Sequence, residues 1–385
     1  MQKRDELSSN EKSYNIDIIF GIFLILVAVG KIIRYTIMKN VLVNSGIGHH
    51  FIYPILYGTG GITLFDSDSM TGDAGGNAVV IFRAINFFKI NNYESWELYI
   101  SVIWNIILFG LLLGVKKILN LKQFVFIGLS IIVLNIFDFT LAKEPIQMLY
   151  FIAIYYVLCL NNKSVKFKYI LTIGIIAFSA ISFRIYYFLI IMFMVLVQVL
   201  FNVFIIKKEK VKIKDIIIML LVIVGFYFLF LNIMKVIMPT EYNELIRVRT
   251  RSSTAASDMR NIFKSTNLLI FSFDYLIMLL RMMFPIELLR LGIKYVPYVL
   301  YQVIITYFVI KNIKSIKSNG KIKNIALHLY IGFLFASATF EPDFGSWVRH
   351  EAVLFPILLI LTDIKRKEKE RKNEKRISIY NNSSV

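Results

Sequence analysis

Residues 341–350, EPDFGSWVRH, put Glu341, Asp343, Arg349 and His350 into one short turn between two apolar runs. Glu341 or Asp343 can take a proton as a general base, Arg349 can hold an anion, and His350 adds a further acid–base group. A second pair, Lys143–Glu144, follows Asp138 at the junction of two other apolar runs. In the turn SFRIYY, Arg184 stands beside Tyr186 and Tyr187. Tyrosines next to an arginine suit stacking on sugar rings and hydrogen bonding to their hydroxyls. The stretch RVRTRSS carries Arg247, Arg249 and Arg251 at alternate positions, which an extended strand would turn to one face. Arg281 lies further along, in an apolar stretch at 267–292. Arginine is always charged, and its planar fork matches phosphate and carboxylate groups. These side chains together suit binding an anionic ligand and moving a proton beside it.

Other chemistries lack their residues. Asp66, Asp68 and Asp73, in FDSDSMTGDAGGN, have neither the spacing of an EF-hand nor its closing glutamate, and read as a polar turn. His49, His50 and His350 form no H-E-x-x-H pattern, so no metal is expected. Cys159 is the single cysteine, which excludes a disulfide framework and a cysteine-based zinc site. Neither a phosphate-binding G-x-x-x-x-G-K loop nor a G-x-S-x-G nucleophile elbow occurs. No cofactor is expected.

The elements that must position these groups are membrane helices. The chain has 385 residues, 57% of them hydrophobic, against the 45–50% usual for soluble domains. A span needs roughly 20 apolar residues. Candidate spans are 16–37, 97–115, 124–142, 146–161, 168–183, 186–206, 215–238, 294–312, 324–340 and 352–365. The formal net charge of +19 invites a nucleic-acid reading. Most of that excess sits on short lysine-rich loops and tails, which the positive-inside rule assigns to the cytoplasm. Ten spans with both termini cytoplasmic put every basic loop on that side, so the charge speaks for orientation and no nucleic acid is expected. Residues 267–292 read as a re-entrant or interfacial segment, with an eleventh span as the alternative. The first apolar run reads as an uncleaved anchor. The expected organisation is all-α: one integral membrane domain over 1–365, then a basic, disordered cytoplasmic tail over 366–385. The outer loops are 38–96, 239–293 and 341–351. Lys31 and Arg34 fall near the outer end of the first span, where long side chains reach the headgroups, and Trp347 fits an aromatic anchor at the interface.

This pattern of spans, outer arginines and an E-P-D-F-G-S-x-x-R-H turn before the last helix resembles the Wzy-type polymerases of bacterial surface polysaccharides. In residues the resemblance rests on Lys143–Glu144, on Arg184 with its tyrosines, and on Glu341–His350. It implies inverting glycosyl transfer at the outer face of the bacterial cytoplasmic membrane. A glycan on undecaprenyl diphosphate would pass to a new lipid-linked repeat unit, giving O-antigen, capsule or exopolysaccharide. It further implies membrane lipids, a flippase and a chain-length regulator as partners. Glu144, Glu341 and Asp343 would then be candidate bases, with His350 beside them. Lys143, Arg184, Tyr186, Tyr187, Arg247, Arg249, Arg251, Arg281 and Arg349 would hold diphosphate or glycan. Two rival readings are a C-type glycosyltransferase using a polyprenyl-phosphate sugar, with its base among Asp66, Asp68 and Asp73, and a transporter or flippase of lipid-linked sugars. A transporter is expected to carry internal repeats, and none stands out.

Overall fold

The computed structural model describes residues 2–36, 74–114, 120–206, 212–250, 257–341 and 343–362. Residues 38–73 of the expected outer loop 38–96 lie outside them, with His49, His50, Asp66, Asp68 and Asp73; so do Arg251 and the tail 366–385. In chain order the helices are α1 (Gln2–Thr36), α2 (Ala74–Ile85), α3 (Tyr93–Leu113), α4 (Leu121–Phe137), α5 (Glu144–Leu158), α6 (Val165–Ser182) and α7 (Tyr187–Phe201). Then come α8 (Ile213–Ile237), α9 (Pro239–Thr250), α10 (Leu268–Met283), α11 (Val296–Lys314), α12 (Lys321–Phe340), α13 (Phe344–Ala352) and α14 (Phe355–Leu361). The described residues contain no strand beyond an isolated bridge between Asp258 and Asp343.

The helix starts follow local chemistry. The first turn of a helix has backbone N–H groups with no intrahelical partner, and a short polar side chain satisfies them. Asn92 caps α3 through Ser95 N (2.8 Å), Asn120 caps α4 through Gln123 N (3.0 Å), and Ser164 caps α6 through Phe167 N (3.2 Å). Pro145 and Pro356 stand in the first turns of α5 and α14, where a missing N–H costs nothing.

Among the described residues, seven helices are long and apolar enough to cross a membrane: parts of α1, α3 and α8, and all of α6, α7 with its π-helical end, α11 and α12. α4 and α5 are apolar but shorter, and α13 and α14 pass only as a pair bent by 71°. Each sequence-derived span therefore contains a helix. The last departs most from expectation. Its described part is the seven-residue α14, because Asp343 starts a separate helix, α13, and the chain turns before Pro356. Residues 267–292 form the 16-residue α10 and then a 3-10 turn, Ile286–Leu291, with α10 packed on α8 and α12.

Burial separates inner from outer helices. The apolar window of α12 is 83% buried, whereas that of α1 is 17% buried. α12 is thus the central post, and α1 turns side chains such as Ile25 and Ile32 outward, as a lipid-facing helix does. α12 meets α7 most closely at Gly332. A Cβ there would lie 2.8 Å from Ile190 O and 2.9 Å from Met194 N, both backbone atoms. Small residues at such crossings let two membrane helices approach to backbone contact.

Gly332→Ala is expected to force α7 and α12 apart and to cost roughly 1–3 kcal/mol, the usual range for overpacking. Gly174→Ala, with nothing within 4 Å of the added atom, is the control expected to leave stability unchanged. Thermal unfolding of the two purified proteins in one detergent compares them directly.

Candidate functional site

Three turns at one end of the bundle bring their side chains together. The first joins α4 to α5 and carries Asp138, Lys143 and Glu144. It is braced from α1. Arg34 pairs with Glu97 of α3, donates to Ile136 O (2.5 Å), and reaches Thr140 Oγ1 (3.2 Å). Lys31 donates to Phe139 O (2.9 Å). Cations on the last carbonyls of a helix also complement its dipole. Lys31 and Arg34 are therefore not reaching for headgroups: Arg34 is buried in an ion pair and fixes the turn.

The second turn joins α6 to α7. It is held by Phe183 N to Ser179 O (2.9 Å) and Tyr187 N to Arg184 O (2.8 Å). This presents Arg184 inward, with its guanidinium bonded to the Tyr186 hydroxyl and 5.5 Å from the Tyr186 ring centre. Tyr186 in turn packs on Phe340 at 4.9 Å. Tyr187 is buried, and its ring packs against Tyr186 and Phe333.

The third turn joins α12 to α13. Asp343 caps α13, accepting from Ser346 N (2.9 Å) and Ser346 Oγ (3.1 Å). The cap sets the helical phase that carries Arg349 and His350 nearly two turns later. Arg349 is held by Gly345 O (3.3 Å) and Ser346 Oγ (3.1 Å). Asp343 is thereby a structural cap, and its lone pairs serve α13.

The centre of the cluster is a line of three groups. His350 Nδ1 lies 2.5 Å from Glu341 Oε1, so Nδ1 carries the proton donated to that carboxylate. On the other side, His350 Nε2 lies 3.3 Å from Glu144 Oε1. Arg184 Nη2 and Arg349 Nη1 each stand 3.9 Å from the same oxygen. Glu144 Oε1 is fully enclosed and makes no well-aligned hydrogen bond. It is a buried acceptor ringed by donors that stop short of it.

Lys143, Arg184 and Arg349 stand with Glu144 and Glu341 at the centre, and Asp138 lies in the same turn as Glu144. Burial, and then the Arg184 charge, push the Lys143 ammonium down to about 8 from 10.5. Burial raises the Glu341 carboxyl, but His350 and the arginines outweigh it and hold Glu341 below its ordinary value.

Lys143, Glu144, Arg184, Tyr186, Tyr187, Glu341, Arg349 and His350 thus converge from separate segments, as the sequence pairs suggest. The remaining candidates go elsewhere. RVRTRSS is not a strand where described: α9 runs to Thr250, and residues two apart on a helix point about 200° apart. Arg247 is exposed and paired with Glu244 one turn away. Arg249 is buried and spends its donors on Met259 O (2.9 Å) and Ala338 O (2.6 Å). Arg281 pairs with Glu287 (2.7 Å) and donates to Arg260 O (2.6 Å). Trp347 is wholly buried against Phe333 and is no surface anchor. The bracing trio Lys31, Arg34 and Glu97 was the missed part. Its signal was two cations one turn apart inside an apolar span, which are costly there unless paired. No group of three or more His, Cys, Asp or Glu side chains able to hold a metal occurs among the described residues.

No family model matches the chain, and no curated protein or solved structure is significantly similar to it.

Two outcomes test the site as built. Arg34→Met strands a buried Glu97 and is expected to cost about 3–5 kcal/mol, whereas Arg34→Met with Glu97→Met recovers most of it. A chemical-denaturation double-mutant cycle reads this. Carbon-13 NMR of the dimethylated protein is expected to show Lys143 titrating near 8, its charge being present below that pH and lost above it.

Proposed function

We propose that the chain is an outer-face glycosyltransferase of the bacterial cytoplasmic membrane. It polymerises undecaprenyl-diphosphate-linked repeat units into a surface polysaccharide, and its ten crossings leave both termini in the cytoplasm. One observation carries the reading. The residues on which the resemblance to Wzy-type polymerases rests sit in three separate turns, and they meet in one buried charged cluster around Glu144 Oε1.

The chemistry follows from those groups. The bond between the donor sugar C1 and the diphosphate oxygen breaks, and the acceptor hydroxyl oxygen bonds to C1 from the opposite side. The hydroxyl proton passes to a carboxylate. Undecaprenyl diphosphate leaves with added negative charge, which fixed guanidinium groups stabilise in a site shielded from water. Arg184 and Arg349 suit that role, since both carry forks directed at the cluster centre, and Lys143 adds a point charge. Tyr186 offers a ring and a hydroxyl for a sugar.

Glu144 is the proposed base. In the free protein Arg184, Arg349 and His350 surround it and stabilise its anion, so it holds protons weakly. A bound diphosphate draws the two guanidinium groups to itself. Glu144 then loses its counter-charges, and its affinity for a proton rises as the donor arrives. Glu341 holds the His350 ring in place beside it through Nδ1. A flippase would supply the lipid-linked units, and a chain-length regulator would act on the product.

Arg349→Ala and Glu144→Gln are expected to abolish polymer and leave single repeat units on the carrier, with the protein still present in the membrane. Arg184→Lys should lower polymer yield at least tenfold if the planar fork matters. Gel analysis of lipid-linked glycans from the complemented strain distinguishes these outcomes. Wild-type polymer length in Arg349→Ala would remove Arg349 from the site, and a truncated or undecorated repeat unit would point to a single-sugar transferase.

A further inference from the structure

A second buried polar cluster lies deeper in the bundle and takes no part in the reaction above. Its centre is Glu351 on α13, which is 0% exposed. Glu351 Oε1 accepts from Tyr330 Oη of α12 (2.6 Å) and from Gln302 Nε2 of α11 (3.0 Å). Glu351 Oε2 has no hydrogen-bond partner. Among the described residues no lysine, arginine or histidine pairs with this carboxylate.

The neighbours share one property. Tyr298, Tyr301 and Gln302 lie on one face of α11, at spacings of three and four residues. Gln302 touches Glu351 directly, and Tyr298 and Tyr301 share its face of the helix. All three side chains are buried, and Tyr298 Oη, Tyr301 Oη and Gln302 Oε1 have no hydrogen-bond partner. The Tyr301 hydroxyl lies beside Ser130, whose own proton goes to Phe126 O (2.7 Å). One buried carboxylate oxygen, one amide oxygen and the Tyr298 hydroxyl are thus left with nothing to bind, and the Tyr301 hydroxyl oxygen keeps lone pairs to offer.

Unpaired buried oxygens cost free energy, and an unpaired buried carboxylate costs more. A proton on Oε2 would remove the charge and could be shared with Gln302 Oε1, but it would leave Tyr298 Oη without a partner. Hard cations take clusters of carboxylate, amide and hydroxyl oxygens. One carboxylate supplies one negative charge, so a monovalent ion leaves the site neutral and a divalent ion does not. We infer that Glu351, Gln302, Tyr298 and Tyr301 form a binding site for a monovalent hard cation of the sodium class inside the helical body. The ion links α11 to α13, the helix that also carries Arg349 and His350.

The test uses the full chain in detergent micelles, with sodium chloride compared against choline chloride at equal ionic strength. A ligand that binds only the folded state raises its thermal midpoint in a saturable way. Wild-type protein is expected to gain several degrees in sodium, and Glu351→Gln to lose that gain. Tyr298→Phe removes only a hydroxyl that bonds to nothing in the protein, so it should fold. It is expected to need at least tenfold more sodium for half of the gain. An absence of sodium-specific stabilisation in wild type would overturn the proposal, leaving a site for water and a proton only. An equal gain in Glu351→Gln would overturn it too, as would a Tyr298→Phe response identical to wild type.

Discussion

The line Glu144–His350–Glu341 is the constraint on which the rest of the molecule depends. Two carboxylates cannot be buried close together without a shared cation or proton. His350 stands between them, bonded to one at 2.5 Å and 3.3 Å from the other. Because the three residues come from α5, α12 and α13, satisfying this requirement fixes the relative placement of those helices. Arg184 and Arg349 add charge from α7's leading turn and from α13. The same groups that must be paired for the fold to exist are those positioned to receive an anion. The anionic ligand proposed above would therefore compete with the protein's own carboxylates for its cations.

Much of this was legible in the sequence because the signals were local. Apolar runs near 20 residues gave the helices, whereas the caps that start them, such as Asn92 and Ser164, were read only from the structure. The pairs Lys143–Glu144, Arg184–Tyr186 and Glu341–His350 each announced themselves as charge at the end of an apolar run. Their meeting was not legible, since it depends on which helix ends adjoin.

The misreadings share a physical cause. Arginines two apart suggested a strand face, but α9 is a helix, and Arg249 ended on backbone carbonyls that sequence cannot locate. Asp343 has the same chemistry as Glu341, yet its place at the start of α13 commits it to capping. Lys31 and Arg34 looked free to extend toward water because their partners, Glu97 and the end of α4, are distant in sequence. The oxygens around Glu351 escaped notice because tyrosine and glutamine in apolar helices look unremarkable until their hydroxyls and amides are found without partners.

The contact at Gly332 has a mechanical consequence for the site. α7 and α12 run in opposite directions, so the start of one and the end of the other lie together, with Arg184 just before α7 and Glu341 just after α12. Gly332 is nine residues from Glu341, a lever arm of about 14 Å. A rocking of about 5° about that fulcrum would shift Glu341 against Arg184 by roughly 1 Å. Backbone locked against backbone at the fulcrum leaves little play for such rocking. The spacing between Glu341 and Arg184 is thus set deep in the apolar interior, by the absence of a single methyl group.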